Sequence, residues 1–317
     1  MPMRKKQTRL DRGIHDAISA ERYHADPCKS PSLSSSIANT LLSRSPLHAW
    51  FAHPRLNKKY VGENGNGRLD LGSAAHAVCL ENDMSHVVKI DADSFRTNAA
   101  KEARDAAYAE NKIPLIAENY EKLAAMQTAF LIAAKQCEEL GKIQNGLPYF
   151  PEGGKAEQTI AWLEKDGKKK FWMRARPDWL SNDHRLIVDY KTVDSAEPEA
   201  FIRGPLVSHG YDVQAAFYLR GLQAVDLAAM DCKYIWILQE IEPPYAVSFV
   251  GYGEQMAEIA EQKVNRAIEI WKRCLTAKQW NAYSNKVAWA NLPSYAVTRW
   301  EEWQAMQGFI TSSEQLS

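Results

Sequence analysis

Three residues of this 317-residue chain have the types and spacing for phosphate chemistry: Asp178, Asp189 and Lys191. Asp189-Tyr190-Lys191 lies in the apolar run RLIVDYKTV, which predicts a strand, and alternation puts Asp189 and Lys191 on one face of it. Upstream, Trp172, Arg174, Arg176 and Asp178 share one face of a second predicted strand. Pairing of neighbouring strands then brings Asp178 beside Asp189, so two carboxylates and an ammonium meet at one spot. Carboxylate oxygens are the hard ligands that Mg²⁺ takes. A lysine there can orient or deprotonate a water, or hold charge developing on a phosphate.

The elements that must position these groups follow from periodicity and turn residues. Residues 1–30 read as a basic, irregular arm. Ser34 or Ser35 caps a helix that Pro46 ends or restarts. Gly62–Gly67 (GENGNG) reads as a flexible loop, and Leu69–Glu81 as a helix rich in small residues. Residues 97–141 are helical, with one apolar stripe through Ile116, Tyr120, Leu123, Met126 and Phe130. Gly153-Gly154 marks a boundary. Two strand runs then flank Asp166-Gly167, a hairpin signal. Residues 185–193, 232–240 and 245–253 are further strands, with helices over 211–227 and 254–279. The expectation is an α/β fold with about five strands in a mixed sheet, wrapped by helices. Residues 31–150 form helical wrapping and 151–317 the core with its C-terminal helices, with 31–317 as one compact domain.

Composition bounds the partners. Hydrophobic residues make up 45% and charged residues 25%, with 39 bases against 39 acids. That is the balance of a globular chain, and its total field does not announce a polyanion. No apolar run approaches a membrane span of about 18 residues, and the basic N-terminus leads into no signal-like stretch. A cytoplasmic protein with no membrane partner is expected. The five cysteines include no CxxC pair, which argues against zinc or a disulfide framework.

The pattern Pro177-Asp178, ten residues, Asp189-Tyr190-Lys191 resembles the signature of the PD-(D/E)XK nucleases. Gly72 and His76 match the G-x-x-x-H element of the RecB-like branch. Gln214 and Tyr218 match its Q-x-x-x-Y element and, at i,i+4, share a helix face. Glu157 stands where that branch carries another acid, opening the first strand. The segments YHADPCKSPSLSSSIANTLLSRSPLHAW, FRTNAAKEARDAAYAENKIPL and DYKTVDSAEPEAF…YDVQAAFY are similar to the prophage exonuclease VIII (RecE-type) family, over about Tyr23 to Pro293.

The resemblance implies a Mg²⁺-dependent exodeoxyribonuclease, with Mn²⁺ able to substitute. Such an enzyme resects double-stranded DNA from 5′ ends, leaving 3′ overhangs for recombination beside a RecT-like annealing recombinase. It implies a homo-oligomeric ring of three or four subunits in a bacterial or phage-infected cell. The metal ligands it implies are Asp178, Asp189, Glu157, His76 and the Tyr190 carbonyl, with Lys191 as the catalytic cation. Arg174 and Arg176 suit phosphate contact or the neutralising of neighbouring acids, and Gln214 and Tyr218 orient site residues or grip phosphate. The residue before Pro46 is Ser45 and Cys274 stands alone, so no iron–sulfur cluster is expected. Two other readings stay open: a structure-specific or single-strand nuclease of the same fold, and a DNA-binding recombination partner without hydrolysis. Lys168–Lys170 read as a solvated turn, and the Trp-rich tail as helix packing.

Overall fold

A computed structural model describes residues 8–60, 71–81, 83–110, 112–141, 143–144, 147–148 and 150–314. The Gly62–Gly67 loop lies outside the described residues. The chain divides into two units, Met1–Asn281 and Ala282–Ser317, where the sequence predicts one body over 31–317.

The first unit begins with β1 (Gly13–His15), α1 (Ala20–His24), α2 (Ser35–Ser43), α3 (Pro46–Ala52), α4 (Leu71–Glu81), β2 (Val87–Ile90), α5 (Asn98–Ala109), β3 (Ile113–Ile116) and α6 (Ala117–Gln136). Hydroxyl caps start four of these helices, Ser19 capping α1 through the N–H of Arg22. Ser34, Ser45 and Thr97 accept from the N–H groups of Ile37, His48 and Ala100, and Pro46 restarts the chain as α3 because the first helical turn needs no N–H from it. There follow β4 (Ile143–Gln144), β5 (Leu147–Pro148), β6 (Gly154–Ala156), β7 (Thr159–Asp166), β8 (Lys169–Ala175), β9 (Trp179–Ser181) and β10 (Leu186–Val193). Helices α7 (Pro198–Arg203), α8 (Pro205–Ser208) and α9 (Tyr211–Val225), strands β11 (Lys233–Glu240) and β12 (Val247–Gly251), and α10 (Glu254–Ala277) complete the unit. The second unit carries α11 (Ser294–Glu314), on which Trp300 and Trp303 stack at 5.0 Å.

The central sheet has five strands in the order β12-β11-β10-β9-β6. Its β10–β11 pair is parallel and the other pairs are antiparallel, so the expected mixed five-stranded sheet is present. Its membership differs from the expectation. The β7–β8 hairpin, turned at Gly167 with φ +55°, forms a separate three-stranded sheet with β1. Proline has no N–H for a ladder. Consistent with Pro177, β8 stops at Ala175, and the chain re-enters pairing as β9 in the other sheet. Asp178 therefore lies in the crossover, not on the second strand with Trp172 and Arg174.

Strand β10 is buried on both faces, as parallel strands usually are. Leu186, Val188 and Tyr190 pack with α4 and α6, and Ile187 packs in the cluster formed by α9 and α10. Ala74 and Ala75 are fully buried. Their lack of bulk lets α4 lie close to the strand that carries Tyr190.

The arm expected to be irregular is folded from Leu10 onward. Strand β1 pairs with β7, and Leu10, Ile18, Tyr23 and Cys28 bury themselves with Ala161 and Trp172. A buried polar cluster ties this segment down. Asp26 accepts from Ser32 N at 3.0 Å and Ser32 Oγ at 2.7 Å. Arg174 and Arg55 approach its carboxylate at 3.4 and 3.5 Å.

His53 completes that cluster as a neutral ring. Its Nδ1 accepts from Arg55 N and Leu56 N at 3.2 and 3.3 Å, which leaves Nε2 to donate to Ser32 O at 3.1 Å. A proton on Nδ1 would face two donors. Burial, opposed by Asp26, pushes the imidazole down to about 4. The unfolded chain would then bind a proton below about pH 6.5 that the folded chain refuses until about pH 4. Stability is complete above that window and should fall by up to about 3 kcal/mol as pH drops through it. Histidine NMR should show one ring that stays neutral at pH 5. A His53 resonance titrating near pH 6.5 would contradict this.

Candidate active site

The site forms where β9 stops. The β9–β10 ladder ends at Trp179 opposite Val188. The next inward N–H of β10, that of Tyr190, donates instead to Asp178 Oδ2 at 3.0 Å. A side-chain carboxylate thus continues the ladder, and this fixes Asp178 against the strand that carries Asp189.

Glu157 sits one step beyond β6. Its N–H donates to Asp178 O at 2.9 Å, and its backbone takes the left-handed conformation, φ +59°. This is an uncommon conformation for a residue with a Cβ. Glu157 is thus a kink between β6 and β7, not the opening residue of a strand. Arg176 holds it, with Nε 2.5 Å from Glu157 Oε2 and 3.3 Å from its carbonyl. His76, from α4, places Nε2 3.0 Å from Asp178 Oδ2 and Nδ1 3.8 Å from Glu157 Oε1.

Asp189 and Lys191 form the second half of the site. Their ion pair is 2.6 Å long, and Asp189 is completely buried. Gln214 Nε2 donates to Asp189 Oδ1 and to Tyr218 OH, both at 3.2 Å. Asp189 Oδ2 faces the Lys191 ammonium but has no aligned hydrogen-bond donor. Both halves border a cleft of about 850 Å³ whose walls include His76, Glu157, Arg176, Asp178, Lys191 and Tyr211.

The two aspartates are driven apart electrostatically. Burial pushes the Asp189 carboxyl up, and the charge on Asp178 adds to it. Burial acts the same way on Asp178, but Lys191 and His76 outweigh it and hold that carboxyl well below the usual range. Burial lowers the His76 imidazole less than Asp178 and Glu157 raise it. Burial raises the Glu157 carboxyl against the pull of Arg176. Lys191 resists burial because Asp189 and Asp178 face it, and it stays an ammonium.

His76, Glu157 and Asp178 each offer a ligand atom within 4.8 Å of the others. Two carboxylates and an imidazole are a donor set that fits a divalent cation. Among the ligands expected from sequence, this trio converges. Asp189 lies against Asp178 and is held by Lys191 and Gln214. Tyr190 is fixed by its N–H on Asp178 and its hydroxyl, which donates to Gln239 Oε1 at 2.5 Å.

Arg176 reaches the cleft, whereas Arg174 does not. Arg174 is 3% exposed and donates to Ser32 O and Ser32 Oγ at 2.8 and 2.7 Å. Its expected phosphate contact is therefore corrected: it holds the N-terminal segment in place. Three groups escaped the sequence reading. Tyr211 lies under the Lys191 ammonium at 5.0 Å; it is three residues before Gln214, so helix spacing could have revealed it. Gln239 is a polar residue inside an apolar strand, a recognisable sign of a buried hydrogen bond. Tyr23, whose ring lies beneath both Arg174 and Arg176, left no local signal.

The family described as a PDDEXK-like domain of unknown function (DUF3799) matches residues 42–293. The chain belongs to this PDDEXK-like family. No curated protein matches the chain in sequence. A candidate exonuclease from Eubacterium rectale has a crystal structure similar to this PDDEXK-like protein at a TM-score of 0.51, with 11% identity over 90% of this chain and 99% of that one. A phage-related exonuclease from Haemophilus somnus 129PT aligns at 0.25, with 12% identity over 69% and 100% of the two chains. An alkaline exonuclease from Laribacter hongkongensis aligns at 0.23, with 11% identity over 65% and 90%. At 11% identity the likeness to the Eubacterium rectale structure concerns the fold alone.

Proposed function

We propose that this PDDEXK-like protein is a divalent-metal-dependent nuclease that hydrolyses phosphodiesters. One observation carries the reading: a His76–Glu157–Asp178 trio and a lysine ammonium open onto one cleft. A divalent cation in such a site acidifies water and neutralises charge on phosphate. His76, Glu157 and Asp178 would hold it. Lys191, already protonated, puts its charge on the phosphate oxygens rather than taking a proton. Tyr211 aims that ammonium through its ring face. Asp189, held by Gln214, anchors the lysine from below. Arg176 offers a second cation for the backbone.

The finer reading rests on the sequence resemblance to the RecE-type family. The cation is Mg²⁺, replaceable by Mn²⁺, and the enzyme works as a 5′→3′ exodeoxyribonuclease on double-stranded DNA. It acts in the cytoplasm as a ring of three or four subunits, beside an annealing recombinase in phage or prophage recombination. Among the described residues no helix is long and apolar enough to cross a membrane.

The test is digestion of a linear duplex labelled at its 5′ or 3′ ends, next to a covalently closed circle, with Mg²⁺ or with chelator. Early release of the 5′ label, an intact circle and no reaction in chelator are expected. Cleavage of the circle would favour the structure-specific or single-strand reading. Binding without any metal-dependent cleavage would leave a non-hydrolytic DNA-binding partner.

A further inference from the structure

The tip of the β7–β8 hairpin breaks an ordinary rule of sheet design. Lys165 stands directly opposite Lys170 in the ladder, and like charges in that position repel. Lys168 and Lys169 complete the turn, with Asp166 the sole acid between residues 165 and 170. These lysines are exposed. Helix α10 adds Lys272, whose Nζ donates to the Lys165 carbonyl at 2.8 Å. The glutamates nearest in the chain are already engaged, Glu164 by Arg220 at 2.6 Å and Glu269 by Arg266 at 3.3 Å. In a chain of zero net charge, this concentration of cations is local.

The face it occupies is informative. Alternation along β8 puts Lys170 on the side of Trp172 and Arg174. That side is covered by the N-terminal segment, whose Tyr23 ring underlies both Arg174 and the cleft residue Arg176. Lys165 shares this side through its pairing with Lys170. Lys170 is six residues from Arg176, or about 20 Å along an extended chain. Successive phosphates on one strand of a duplex are spaced about 3.4 Å apart along the axis. The interval therefore corresponds to about six base pairs.

We propose that Lys165, Lys168 and Lys170 form a duplex-holding surface that grips the phosphate backbone about six base pairs from the bond in the cleft. This rests on the nuclease reading and adds to it a second, non-catalytic contact. Phosphates supply the opposite charge that the hairpin tip lacks, and the contact reads no sequence.

The test uses DNA hairpins with stems of about 6 to 25 base pairs, with binding measured in chelator at several salt concentrations. Wild-type affinity should rise once the stem outgrows the six-pair interval. The variant K165Q/K168Q/K170Q should lose that rise, and its salt slope on long stems should fall by about two to three units. Its single-turnover cleavage at saturating DNA should equal that of wild type. An unchanged salt slope, or an affinity loss that is the same on the shortest and longest stems, overturns the proposal. In the first case the lysines are a solvated turn or face an acidic protein. If wild type neither binds nor cuts DNA, the nuclease reading fails and takes this surface with it. If wild type cuts and the variant binds identically, only the surface fails.

Discussion

Replacing Lys191 by alanine should reduce single-turnover cleavage of a linear duplex by about 10²–10³-fold or more, the usual cost of deleting one preorganised group that stabilises transition-state charge. Metal binding should survive, because the His76–Glu157–Asp178 trio does not include the lysine. The Lys191–Asp189 pair adds an effect on stability. Without the ammonium 2.6 Å away, the buried Asp189 carboxylate keeps neutral donors, Gln214 and the Tyr234 hydroxyl. Burial and the Asp178 charge already push this carboxyl up, so it should take up a proton and remain in place, with a modest loss of thermal stability. The measurements are melting with and without Mg²⁺ and cleavage at saturating enzyme. Near wild-type cleavage would sink the assignment of this strand to catalysis.

Asp178→Asn should separate the metal from the fold. The amide oxygen can still accept from Tyr190 N, so the ladder continuation survives and the apo protein should melt close to wild type. The charge that completes the ligand trio is gone. Calorimetric titration with Mn²⁺ should show at least a 100-fold loss of affinity, and cleavage should be undetectable. In wild type, saturating Mn²⁺ should raise the melting temperature by mass action, and the variant should lose that rise. Asp178→Ala should additionally cost about 1 kcal/mol or more, because Tyr190 N loses its acceptor. A variant with the asparagine that still gains stability from metal would exclude Asp178 as a ligand.

Much of this site was legible in the sequence because its groups lie on regular elements. The alternation that pairs Asp189 with Lys191, and the helical spacing that pairs Gln214 with Tyr218, are short-range properties of backbone geometry. Asp178 and Glu157 were identified as acids but misplaced, since both lie at breaks between strands. There a proline and a left-handed residue decide the path, and periodicity carries no information. Arg174 and Arg176 look equivalent by alternation. What separates them is Asp26 and Ser32, about 145 residues away in the chain, a contact no local pattern announces. The sheet itself was anticipated as five mixed strands, but the hairpin was counted within it. Telling one sheet from two depends on where pairing is interrupted, which in this chain follows Pro177.

The substitution of a carboxylate for a missing strand has a meaning beyond chemistry. Where β9 ends, β10 would present an unpaired edge from Asp189 to Val193, and such edges invite other chains to add on. Asp178 occupies the first donor of that edge, and a charged side chain with His76 against it is a poor template for a further strand. The group that would bind metal therefore also guards the sheet against self-association. This protective role would persist in a population that has never met its metal.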